Sequence, residues 1–229
     1  MLALKLGLSL STNKPYGQWT PAGSSKLIAW YKHKTGITLN GSDVSAWADS
    51  STNSFDMVQA TATEQPAYDA STGVLTFVSA DTNNLQTTGQ ISLDDSFLIG
   101  MRIKMTTAGG VPLADNTTAG EFIKYTTSSQ MRIKIDNSQV DITLNGGTTF
   151  GDNYILISRD ASDKITLYVD GVPQTDTETL AGTADIDSIG VRRIDLNPFN
   201  GQIKEIQIYK DIQDQATLIA NVNDYLSNL

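Results

Sequence analysis

The sequence predicts an all-β protein, a two-sheet antiparallel sandwich with a short C-terminal helix. Three observations predict it. Apolar and polar residues alternate in short runs, turn residues separate the runs, and a helical period appears only at the end of the chain. Alternation gives a strand one apolar face. Strands of this kind without helices between them pair as hairpins and stack as two sheets.

The first element is residues 2–10. Leu2, Leu4, Leu6, Leu8 and Leu10 alternate with Ala3, Lys5, Gly7 and Ser9. A helix would scatter these leucines around its circumference, whereas a strand puts them on one face. Such a strand serves either as the first strand of the domain's own core or as an arm whose free backbone groups pair with a neighbouring subunit. Thr12 to Gly17 is rich in turn formers. The reading is therefore an arm and linker over 1–20 and one sandwich over 21–229.

From Leu27 onward strand and turn signals alternate. Phe97, Ile99, Met101, Ile103 and Met105 read as the buried face of a half-buried strand. Met131, Ile133 and Ile135 form a second, and Val140, Ile142 and Leu144 a third, after a turn at Asn137-Ser138. Ile155 and Ile157 lead into a polar turn over Arg159-Asp160-Ala161-Ser162-Asp163. Ile165, Leu167 and Val169 then run to a hairpin turn at Asp170-Gly171. At the end, Asp214 is placed as an N-cap, and Leu218, Ile219, Val222, Tyr225 and Leu226 share one helical face. That helix is expected to cover an edge or open end of the sandwich.

Composition narrows the function classes. The net charge is −9, which sets the chain against phosphate backbones. Its cationic pairs, Arg102/Lys104, Arg132/Lys134 and Arg192/Arg193, are diluted by nearby carboxylates and read as solvated strand faces, so no nucleic-acid partner is expected. No apolar run approaches the roughly 20 residues of a membrane-crossing helix. The absence of cysteine rules out disulfides, thiolate metal sites and a cysteine nucleophile. Lys5 interrupts the apolar start, and no small-residue cleavage site follows, so no secretion signal is expected.

Three stretches carry a family likeness. They are Leu27-Ile28-Ala29-Trp30-Tyr31 with Val44 to Ser51 and Gln65 to Tyr68; Ile155 to Asp160 with Lys164-Ile165-Thr166-Leu167-Tyr168-Val169-Asp170-Gly171; and Ser188-Ile189-Gly190 with Phe199-Asn200-Gly201-Gln202-Ile203 through Tyr209. Together they resemble the concanavalin A-like lectin/glucanase superfamily in its laminin-G-like branch. The resemblance implies a jelly-roll sandwich and a structural use for Gly190 and Gly201, where backbones approach closely. Trp30 and Trp47 alternate with small polar residues and read as core residues rather than sugar platforms. The leucine-alternating strand ahead of such a domain, with abundant Thr, Asn, Ser and Asp, resembles tailed-phage virion proteins.

Sugar-cleaving members of that superfamily hold two glutamates on one strand, because retaining hydrolysis needs two carboxyl groups roughly 5 Å apart. Here the only glutamates are Glu64, Glu121, Glu178 and Glu205, and none has that spacing. Asp185 and Asp187 have i, i+2 spacing and could in principle substitute as a catalytic pair, but they flank Ile186 in a turn-rich stretch, which speaks against it. The lone histidine, His33, lies between Lys32 and Lys34 and reads as a surface residue. Calcium is the cofactor the resemblance raises, with Asp49, Asp160 and Asp163 as candidates against the plainer reading of aspartates that cap turns. No other metal or cofactor is expected.

The expected function is that of a non-enzymatic virion structural protein, a capsid decoration, cement or knob protein assembled in the host cytoplasm. It would engage other virion proteins and copies of itself, as a trimer, through Leu2, Leu4, Leu6, Leu8 and Leu10. The alternative is a carbohydrate-binding module for host-surface glycans. Such a module needs an aromatic platform among polar side chains, and Tyr16 and Trp19 are the candidate contacts.

Overall fold

The computed structural model describes residues 19–117, 120, 122–136, 138–145, 151–193 and 195–229. In chain order the strands are β1 (Leu27–Tyr31), β2 (Ile37–Asn40), β3 (Asp43–Trp47), β4 (Met57–Val58), β5 (Ala67–Asp69), β6 (Val74–Phe77), β7 (Leu85–Leu93), β8 (Phe97–Met105), β9 (Leu113–Ala114), β10 (Phe122–Thr127), β11 (Gln130–Ile135), β12 (Ser138–Thr143), β13 (Asp152–Arg159), β14 (Lys164–Val169), β15 (Val172–Thr179), β16 (Ala184–Ile189) and β17 (Gly201–Lys210). The helix α1 (Gln215–Ser227) follows. Residues Leu2 to Leu10 and Tyr16 lie outside the described residues.

Two antiparallel layers result. In the first, β1 and β6 share one edge of β17, and β8, β13, β14 and β15 continue from its other edge. The second runs β2–β3–β4–β7–β16–β9–β10–β11–β12. β5 pairs with β6 and meets β3 at a single point, so the two layers are also joined through backbone hydrogen bonds. The inward residues of both layers form one apolar core, with Trp47, Phe77, Phe97, Ile99, Met131 and Ile206 among its members. This is the all-β sandwich the alternation predicts.

The helix lies elsewhere than expected. Rather than an edge, it covers the outer face of the first layer, where Leu218, Val222 and Leu226 pack on Leu98, Leu156 and Tyr209. Asp214 caps it as predicted, its carboxylate accepting the Thr217 amide hydrogen at 3.1 Å. Gly100 lets the helix sit this close, since a Cβ there would stand 2.8 Å from a Val222 methyl. Consequently β8 is not half-buried. Leu98 and Gly100 are covered by the helix just as Phe97 and Ile99 are by the core.

Other details follow from local chemistry. Asp170 and Gly171 both take positive φ, 48° and 79°, the geometry of a tight hairpin turn whose twist matches its strands. Trp30 and Trp47 are both buried, as their alternation with small polar residues suggests. Arg159, however, is no surface turn residue. It is 0% exposed, because the β13 backbone aims it inward beneath the loops that close one end of the sandwich.

Candidate ligand-binding surfaces

The helix builds the first surface. Its Tyr225 ring stands edge-on between Trp19 and Trp30, with centroids 6.3 and 6.2 Å away. Trp19 is thereby fixed, half-buried, beside α1. A groove of about 330 Å³ opens there, walled by Trp19 on one side and by Ser24, Lys26, Asp214, Thr217 and Asn221 around it. An aromatic wall ringed by hydroxyl, amide and charged groups is the lining that fixes a polar ligand with an apolar face.

Beneath the helix lies a carboxyl group, that of Glu205, that nothing in its local sequence marks as interior. The bulge in β17 between Ile203 and Glu205 turns Glu205, Gln207 and Tyr209 to the helix side while Ile206 and Ile208 stay in the core. Glu205 is 0% exposed. One carboxylate oxygen accepts the Trp30 indole N–H at 2.7 Å and the Gln207 amide at 2.6 Å; the other accepts the His33 backbone N–H at 2.9 Å. Burial raises its pKa, and these hydrogen bonds together with the His33 charge oppose the rise. Burial and the nearby Glu205 charge likewise raise the Tyr225 phenol. The His33 ring sits at the surface, where Nε2 meets the Thr72 carbonyl at 2.9 Å.

The second surface is the outer face of the other layer. Ile123, Tyr125, Met131 and Ile133 point into the core, so Lys124, Arg132 and Lys134 point away from it. Register places Lys124 opposite Arg132 and Arg132 opposite Asp141, one row across β10, β11 and β12. Arg132 holds Asp141 through two hydrogen bonds of 2.6 and 2.7 Å. Among the described residues the Lys124 and Lys134 ammonium groups have no hydrogen-bond or salt-bridge partner. Burial first, then the charges of Arg192 and Arg132, lower the Lys124 pKa.

Across the same layer the charge reverses. Asp185 and Asp187 lie on β16, not in a turn, because Ala184 and Ile186 alternate with them against β7. Asp187 is 4% exposed and accepts the Asn116 amide at 2.6 Å and the Thr117 hydroxyl. Burial raises its pKa against those two hydrogen bonds, and Asp115 and Asp185 add to the rise.

The calcium candidates take turn positions. Asp49 accepts from the Trp30, Ser51 and Phe55 amides and from the Ser51 hydroxyl. Asp160 accepts from the Ser162 and Lys164 amides and the Ser162 hydroxyl. Asp163 lies 3.9 Å from the Arg159 guanidinium.

No family model and no curated protein matches the sequence. Solved structures do. The binding domain of Paraclostridial Mosquitocidal Protein 1 is similar over 87% of this chain, with a TM-score of 0.60 and 13% identity; the chain spans about half, 52%, of that one. Domain 4 of AbnA, an extracellular arabinanase of Geobacillus stearothermophilus solved with arabinotriose, is similar over 87% of this chain and 97% of its own, with a TM-score of 0.56 and 14% identity. A Trypanosoma rangeli sialidase matches over 90% of this chain and 33% of its own, with a TM-score of 0.53 and 11% identity. At these identities the likeness is one of fold. It agrees with the all-β sandwich read from the sequence.

Proposed function

We propose that this chain is a non-enzymatic carbohydrate-binding module. The observation that carries the reading is the Trp19 groove, the aromatic wall among polar side chains that a sugar requires: apolar C–H faces stack on the ring while hydroxyls meet the rim. Domain 4 of the arabinanase, solved with arabinotriose, supports it by fold analogy. So does the state of the two carboxyl groups with raised pKa. Glu205 and Asp187 are buried and committed to their own protein's donors, which suits a structural role better than acid–base work on a substrate.

A glycan array probed with the full chain, with and without calcium, tests the reading. Binding to at least one oligosaccharide class is expected, and Trp19→Ala should weaken it about tenfold, the worth of one good stacking contact. Silence on the array under both conditions would remove the reading.

A second reading rests on one sequence observation, the alternation of Leu2, Leu4, Leu6, Leu8 and Leu10. In it the module is mounted on a phage particle by strand pairing of that segment with a neighbour. Deleting residues 1–12 is then expected to abolish incorporation into particles and any oligomer seen by light scattering. Unchanged incorporation and mass would discard it.

A further inference from the structure

The row Lys124–Arg132–Asp141 is costly for the fold. Like charges directly opposite on neighbouring strands destabilise a sheet, and a stable sandwich has no need of them there. Asp141 neutralises only one member of the row, through its two bonds to Arg132. Lys134 stands two residues along β11 on the same face and adds a third positive charge. This surplus sits in a protein of net charge −9, where most cations elsewhere would be outnumbered. Local departures from what the fold prefers concentrate at functional sites.

The face around the row is polar and unobstructed by the helix, which covers the opposite layer. Gln130 and Thr126 join hands beside it, the threonine hydroxyl donating to the glutamine side chain at 2.7 Å. Gln139 lies opposite Lys134. Cations for acidic groups are thus surrounded by amides and hydroxyls for neutral ones. Burial and, after it, the charges of Arg192 and Arg132 lower the Lys124 pKa, and an anion beside it would favour the charged ammonium again.

We infer that the outer face of β10, β11 and β12 is a second ligand site, distinct from the Trp19 groove, that takes an anionic glycan bearing carboxylate or sulfate groups through Lys124, Lys134 and the free edge of Arg132. The sugar part of this assignment rests on the carbohydrate-binding reading above, and the anionic part rests on the cation row. Arg132 keeps Asp141 as its planar partner and offers its remaining N–H groups to the ligand. The two lysines act as point charges.

Three tetrasaccharides separate the outcomes: galacturonan, a sulfated carrageenan and neutral galactan, each titrated calorimetrically into the full chain and into Lys124→Gln at low and at physiological salt. Binding of one or both acidic sugars is expected, weakened by salt and about tenfold weaker in the variant, the worth of one charge-assisted hydrogen bond. Preference between the first two sugars tells carboxylate from sulfate. Because Lys124→Gln removes a like-charge pair, its thermal midpoint should not fall, so lost binding would not reflect unfolding. Neutral galactan bound as well as the acidic sugars, with no effect of the variant, would overturn this site and leave the carbohydrate reading standing. Heat with none of the three, alongside a silent array, would overturn both.

Discussion

Replacing Arg159 with methionine is expected to lower the unfolding free energy by ~3–5 kcal/mol, measured by urea denaturation. The guanidinium is fully buried and donates to the backbone carbonyls of Leu93 and Asp95, at 3.1 and 2.6 Å, and of Gly182 at 2.6 Å. It also lies over the Phe97 ring, 4.9 Å from its centroid. These carbonyls belong to the end of β7, the loop that follows it and the loop between β15 and β16, so one side chain ties together the segments that close this end of the sandwich. Methionine keeps the volume and the contact with Phe97 but leaves the carbonyls without donors. Each buried unpaired acceptor costs ~1–3 kcal/mol. Arg159→Lys should recover only part of the loss, because an ammonium cannot span both loops with one planar fork. A loss below about 1 kcal/mol in the methionine variant would mean that water replaces the guanidinium at no cost.

Glu205 should govern how stability depends on pH. Its folded pKa is raised above the ordinary value of 4.5, so the folded protein holds this proton to higher pH than the unfolded chain does. The sign follows from linkage. Its favourable contribution is fully present below 4.5 and is lost as pH rises through the folded pKa, because the unfolded chain then releases a proton that the fold retains. Stability of the wild type relative to Glu205→Gln is therefore expected to decline as pH rises above 4.5 and to level off beyond the folded pKa, in thermal melts taken across a pH series. A flat difference would show that the carboxyl group titrates alike in both states. Glu205→Ala tests the network separately. It strips the acceptor from the Trp30 indole and the His33 amide and should cost ~2–4 kcal/mol at every pH.

Much of the fold was legible because strand burial alternates with the smallest period there is. Phe97 to Met105, Met131 to Ile135 and Ile165 to Val169 each show in sequence the face they bury. The capping aspartate Asp214 and the turn at Asp170-Gly171 were equally local and equally legible. The candidate surfaces were less so. Trp19 could be named, but its groove needs α1, whose first turn comes from residues near 214. The row on β10 and β11 needs the strand Phe122–Thr127, whose alternation around Lys124 is short. With the hairpin turn after Thr127 located, the pairing of Lys124 with Arg132 would have followed by counting.

The misreadings share one cause. Whether β8 is buried on one face or both depends on where a helix more than a hundred residues later comes to rest. Arg159 and Glu205 look like any charged residues in a polar sequence, and only distant loops and a bulge make them interior. Asp185 and Asp187 sit in a stretch rich in turn residues, and their strand is recognisable only beside β7.

By itself the sequence determined the layer type, the faces of the strands, the capped helix and the missing pair of hydrolytic glutamates, since each is a relation between near neighbours. The tertiary structure alone decided which charges are buried, which sheet face stays open and which cations meet across it. Those properties depend on contacts between residues far apart in the chain, and local periodicity carries no information about them.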